Sequence, residues 1–413
     1  MDVITNTESV KPDRLPSLDV LRGIAAFIVV LGHLFWMYPE PLRLEIPAWL
    51  RISILRILVN GHASVILFFV LSGYVLAIPF LRGHAPPYFS YVAKRICRIY
   101  IPFAISILLA VILYNLSMIE TAGFVSEWFH EEWSKMPLTL ENVINHLLMT
   151  GVDGEMWLNE VMWSLVVEMR ISIIFPLLIY LSYFHRLSIF IAILSYSLAT
   201  AIILIYEMRT QTADSLAGTF IITLRFVPFF MAGIFLVKFH EKIKMRLRQL
   251  NKLQFFMLII FILSVYCMPK TIYNPNNISY LNAIVSPEML NNILKFNTDI
   301  LIGIASCIVI VLVRNYGERI AFFNYAAMRW LGTISYSLYL IHLPLIFLLF
   351  SMLIGHLSFF WICLISIAAS IIVASVFFIA VEKPAIRLGK YLSKKLDNRI
   401  NSKLEPKYSL SES

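Results

Sequence analysis

The chain has 413 residues, of which 59% are hydrophobic and only 14% charged, and its mean hydropathy of +0.79 excludes an ordinary soluble globular domain. The formal net charge of +9 is divided among short basic clusters between apolar stretches, so it reads as a membrane-topology signal and argues against a nucleic-acid partner. Four cysteines without a CxxC pair give neither a disulfide framework nor a zinc site, and no metal is expected.

In chain order, the polar segment 1–17 precedes an apolar stretch with no small-residue cleavage site after it, which reads as a retained first helix. About ten stretches approach the roughly 20 residues needed to cross a bilayer. They lie at 18–38, 57–81, 99–118, 160–183, 187–206, 219–238, 253–268, 297–313, 331–354 and 358–381. The expected fold is an all-α polytopic transmembrane helix bundle, with a membrane domain over 18–384 and a basic, polar tail over 385–413.

Basic residues mark the even-numbered loops: Arg82, Lys94, Arg95 and Arg98 in the second, Arg186 in the fourth, Lys238 to Lys252 in the sixth, and Arg314, Arg319 and Arg329 in the eighth. The third loop is acidic, with Glu120, Glu127, Glu131, Glu132, Glu141, Asp153 and Glu155 against Lys135. The positive-inside rule then predicts that both termini are cytoplasmic. Trp128, Phe129 and Trp133 in the third loop suit either a partly interfacial helix on the outer face or an ordinary solvated loop.

Ionisable groups inside a span need a partner or a task. In LDVLRGIAAFIVVLGH, Arg22 precedes His33 by eleven positions, which puts both on nearly one helix face, roughly 16 Å apart along the axis. A buried imidazole can take a proton or carry an acyl group, and an inner arginine can hold a phosphate or carboxylate; an interfacial Asp19–Arg22 pair with His33 as a satisfied polar residue is the alternative. The second span, GHASVILFFVLSGYVLA, has small residues for close helix approach, and Ser72 there lacks the strand-to-helix elbow of a hydrolase nucleophile.

In KRICRIYIP, Arg95 and Arg98 are one turn apart and can form a two-forked phosphate clamp, although topology alone also places arginines there. The fourth span carries Trp163, Ser164, Glu168 and Arg170. Glu168 can orient a histidine, act as a general base, or pair with an arginine of another helix. The ninth span places Tyr336, Tyr339 and His342 together, and VEKP closes the tenth. His342 is a second proton carrier or an interhelical hydrogen-bond partner.

Together LDVLRGIAAFIVVLGH, FFVLSGY, the RxxR of Arg95 and Arg98 followed by IYIP, MWSLVVEM, and SYSLYLIHLPL with VEKP resemble the acyltransferase family 3 membrane proteins, from about Leu18 to Pro384. The resemblance implies O-acylation of lipopolysaccharide, capsule, exopolysaccharide or a related glycan at a bacterial cytoplasmic (inner) membrane. It implies His33 as catalytic histidine with Arg22 as its motif partner, Arg95 and Arg98 at acyl-coenzyme A (acetyl-CoA above all) on the cytoplasmic side, and Glu168 and Trp163 in the fourth-helix signature. With Glu168 as a further catalytic candidate, Ser164, Tyr339 and His342 are carried with Trp163 as candidate substrate contacts. The polar tail cannot form the periplasmic hydrolase-like domain that some members carry, so the chain resembles the stand-alone type, served by membrane lipids, a carbohydrate acceptor and possible glycan-pathway partner proteins. A membrane transporter, expected to show broken-helix internal repeats, and a non-catalytic component of a glycan-assembly complex are the rival classes.

Overall fold

A computed structural model describes residues 15–39, 54–117, 125–134, 138–152, 157–207, 215–268 and 287–404. The main helices are α1 (Pro16–Trp36), α2 (Gly61–Leu81), α3 (Tyr88–Leu116), α4 (Met162–Tyr183), α5 (His185–Glu207), α6 (Leu216–Lys238), α7 (His240–Arg248), α8 (Lys252–Cys267), α9 (Pro287–Tyr316), α10 (Ser335–Leu353), α11 (Phe359–Phe377) and α12 (Lys383–Leu404). Among the described residues nine helices are long and apolar enough to cross a membrane, and no named strand occurs. The chain is an all-α polytopic membrane protein.

The expected seventh span is α8, whose 16 residues cover about 24 Å at 1.5 Å per residue. Its ends nevertheless lie beside the two ends of α2. Lys252 shares a cavity with Arg82, which follows α2, and the carbonyl of Tyr266 accepts from Asn60 Nδ2 at 2.8 Å, where Asn60 caps the start of α2. A capping box between Asn251 and Gln254 satisfies the first orphan amides of this short helix.

Close helix contacts are made where glycine lets backbones meet. A Cβ on Gly73 would stand 2.2 Å from the carbonyl oxygen of Phe230, and one on Gly233 2.3 Å from that of Val70, so α2 and α6 interlock at a reciprocal glycine pair. Gly23 of α1 meets Gly332, in the short helix Ala326–Thr333, in the same way at 2.5 Å. Helix α10 occupies the middle of the bundle, with 72% of its best apolar window buried, against 22% for α5 and 28% for the span containing α11.

Several boundaries differ from the sequence expectation. Helix α3 begins at Tyr88, so Arg95 and Arg98 lie inside a 29-residue helix instead of just before one. The ninth span is divided at Ile334 between the helix Ala326–Thr333 and α10. Beyond α11 a π-helical turn, Phe378–Glu382, leads directly into α12, so the expected polar tail is helical as far as Leu404. Helix α12 lies along α3 through buried Ala385, Gly389 and Ser393, spaced four residues apart, and Ser90 Oγ bonds both the Ser393 carbonyl and the Asp397 carboxylate. Residues Glu120, Lys135, Asp153 and Glu155 of the acidic third loop lie outside the described residues.

Candidate active site

His33 is in the last turn of α1 and half-buried. Its Nδ1 stands 2.9 Å from the Val29 carbonyl and 3.1 Å from Nε2 of His342, a fully buried residue of α10. The hydrogen positions follow from these contacts. His342 Nδ1 is 2.9 Å from the Leu338 carbonyl, which can only accept, so the neutral ring carries its hydrogen there and its Nε2 is an acceptor. Both neighbours of His33 Nδ1 are then acceptors. In a neutral His33 ring the hydrogen then sits on Nδ1, which makes Nε2 the basic nitrogen. A histidine 309 positions away thus sets the tautomer of the first.

The third-loop segment approaches the same ring. Trp128 stacks on His33 with centroids 5.9 Å apart and planes inclined by 26°, and its indole Nε1 donates to Glu160 Oε2 at 3.2 Å. Phe129 and Trp133 are fully buried against Phe347 of α10. The segment is helical, α over Glu127–Phe129 and π over His130–Ser134, and its three rings pack on Phe347 instead of forming a solvated loop.

One turn along α10 from His342, Tyr339 Oη lies 2.7 Å from Ser164 Oγ. Both hydroxyls reach the Val161 carbonyl, Tyr339 at 3.2 Å and Ser164 at 3.1 Å, and Asn159 Nδ2 donates to the Leu340 carbonyl at 2.8 Å. These bonds fix α10 against the start of α4. Trp163 faces elsewhere, packing on Phe69 and Phe226.

Glu168, a further turn along α4, accepts from Arg95 Nη2 at 2.8 Å and from Ser72 Oγ at 3.4 Å. Arg95 also donates to Ser172 Oγ at 2.9 Å, while its buried Nε has no hydrogen-bond partner among the described residues. Arg98, half-buried, sits in the field of Arg22, Arg95, Glu382 and Glu168. Glu382 is buried and accepts from Ser337 Oγ at 2.6 Å. Arg95 is thus paired with Glu168, and Arg98 lies within electrostatic reach of Arg22, Arg95, Glu382 and Glu168. Glu168 is drawn to the arginine cluster and not to the imidazole of His33, because a carboxylate inside the bundle gains most from a guanidinium within hydrogen-bond reach.

Arg22 and His33 stand toward opposite ends of α1, and α10 packs beside that helix. A comparison with family models matches residues 15–379 to the acyltransferase domain of acyltransferase family 3. The chain belongs to that family. No curated protein and no solved structure gives a significant match. For this membrane acyltransferase the family match agrees with the motif resemblance, and the geometry adds residues that the motifs left out.

Trp128, Glu160 and Glu382 join the candidate site of the acyltransferase without having been assigned to it from sequence. Glu382 was visible as the acid of VEKP, and its burial is what the motif did not disclose. A separate buried cluster, in which Asp299 of α9 bonds His62 of α2 at 2.6 Å and Arg225 of α6, was also missed. Its signal was available: Asp299 and Arg225 are both ionisable groups inside predicted apolar spans.

Proposed function

We propose that this membrane acyltransferase moves an acyl group, acetyl in the first instance, from acyl-CoA at the arginine end of the bundle to a carbohydrate hydroxyl at the His33 end. The observation that carries the reading is the contact of His33 Nδ1 with His342 Nε2 inside the family-matched region, which favours the tautomer whose basic nitrogen is Nε2. His33 Nε2 takes the proton of the acceptor hydroxyl as its oxygen attacks the thioester carbonyl. The tetrahedral intermediate collapses with cleavage of the carbon–sulfur bond, and the imidazolium returns the proton to the departing thiolate, giving an ester and free thiol. His342 holds the tautomer and shares charge while the imidazolium exists, and Trp128 covers one face of the ring.

At the other end, Arg98, Arg22 and the remaining Nε–H of Arg95 are offered to donor phosphates, with Glu168 and Glu382 keeping the cluster ordered when no donor is present. The proposed orientation puts this end in the cytoplasm of a bacterial inner membrane. It is supported by the meeting of Arg82, Lys244 and Arg319, from three even-numbered loops, at one end of the bundle.

The test is reconstitution into vesicles with acetyl-CoA labelled in the acetyl group and a surface glycan as acceptor. The expected product is a base-labile glycan ester containing the label, with one free thiol per ester. Accumulation of unmodified substrate inside the vesicles, with no covalent label, would replace this reading by transport.

A further inference from the structure

A cavity of about 1180 Å³ opens at the basic end, between α7, the first turns of α8 and the end of α9. Neither Arg95 nor Arg98 lines it, so it is separate from the candidate donor cluster. Its walls bring together Arg82, Lys244, Arg248, Lys252, Arg314 and Arg319, six cations, against two carboxylates, Glu241 and Glu318. Glu241 is already engaged by Lys244 at 3.7 Å, so the wall keeps a large positive excess. His240, also in the wall, has a buried Nδ1 without a hydrogen-bond partner among the described residues. Burial first, and then the Arg314 guanidinium, lower the pKa of this ring, with Lys244 and Arg82 adding to the effect and Glu241 opposing it. Partial burial and the positive wall both disfavour the imidazolium form of this ring.

Part of the lining is apolar. Leu247, Phe255, Phe256 and Ile259 form it, and Phe255 and Phe256 belong to a stretch of α8 whose large hydrophobic side chains, with Leu253 and Met257, face outward from the bundle. A soluble anion would use the cations but leave this part idle. A membrane phospholipid would use both, placing its phosphate among the cations and its chains along α8. The geometry points to a binding site for the headgroup of an anionic phospholipid in the basic-end leaflet, held by Lys244, Arg248 and Arg319 against the outward face of α8. The volume and the positive excess suit a headgroup bearing more than one phosphate.

The site rests on the membrane character of the chain and not on its acyl-transfer chemistry, so it is tested without turnover. Full-length protein in nanodiscs of mixed zwitterionic and anionic phospholipid is released into the gas phase for native mass spectrometry, and the retained lipids are counted. Wild type is expected to retain the anionic lipid in strong preference to the zwitterionic one. Lys244→Gln with Arg319→Gln should cut that retention about twenty-five-fold, each cation near the surface supplying roughly a fivefold effect, whereas Lys244→Arg with Arg319→Lys should keep it. Equal retention of both lipid classes by the wild type overturns the proposal, whatever the stability of the variants. So does displacement of the anionic lipid by coenzyme A, which would give the cavity to the soluble donor instead.

Discussion

The two histidines divide one task between them. Nδ1 of His33 is occupied by two acceptors, which leaves Nε2 basic, and deletion of either ring should therefore be distinguishable in kinetics. His342→Ala frees the tautomer and removes the partner that stabilises the imidazolium, so turnover is expected to fall by about 10² to 10⁴ with donor KM little changed; initial rates at varied acetyl-CoA check this. The arginines should separate in a different way. Arg95→Gln strands Glu168, which Arg95 pairs at 2.8 Å, and loss of one partner of such a pair costs about 3–5 kcal/mol. Its thermal unfolding temperature should drop, and Arg95→Gln with Glu168→Gln should recover much of the loss. Arg98→Gln should instead raise donor KM with a smaller change in melting. If Arg98→Gln left KM unaltered, the proposed donor contact would be wrong.

At the scale of elements, the spans were legible because a bilayer demands long apolar runs, and the order of nine of them required nothing more. What the pattern did not disclose were features written in small residues. Helix α12 has too many lysines to look like a packed element, yet Ala385, Gly389 and Ser393 make a narrow stripe that fits α3, and a Cβ on Gly389 would come within 3.0 Å of Cys97 Cβ. Hydropathy averages do not register such a stripe. The His33–Arg22 face was likewise readable from a spacing of eleven, because both residues share one helix. The His33–His342 contact was not, since it depends on how α1 and α10 dock. The glycine pair between α2 and α6 gives a prediction at this scale. Gly73→Ala places its methyl 2.2 Å from the Phe230 carbonyl oxygen, and a helix backbone cannot yield as a flexible side chain would. Destabilisation of roughly 1–3 kcal/mol or more is expected, seen as loss of monodisperse protein after detergent extraction, while Gly83→Ala, with open space around its Cβ but a φ of +80°, should cost less.

Over the whole molecule, chemistry is distributed along the bundle axis. Arginines and two carboxylates gather toward one end, the histidine pair and Trp128 toward the other, and the buried hydroxyls of Tyr339 and Ser164 lie between them on the central helix and its neighbour. This polarity suits a reaction whose donor and acceptor approach from opposite sides, and it makes topology testable. Arg319→Cys, at the basic end, should react with a membrane-impermeant maleimide only in inverted vesicles, whereas Leu140→Cys, at a third-loop position 77% exposed, should react only in right-side-out vesicles. Labelling of both from one side would contradict the arrangement.

The claim on which the rest depends is that Nε2 of His33 performs the proton transfer. The most direct measurement is single-turnover formation of labelled ester by His33→Ala in vesicles, with folding verified by an unchanged melting temperature. The account predicts no ester above the level of empty vesicles; ester formation at the wild-type rate would remove His33 from the reaction.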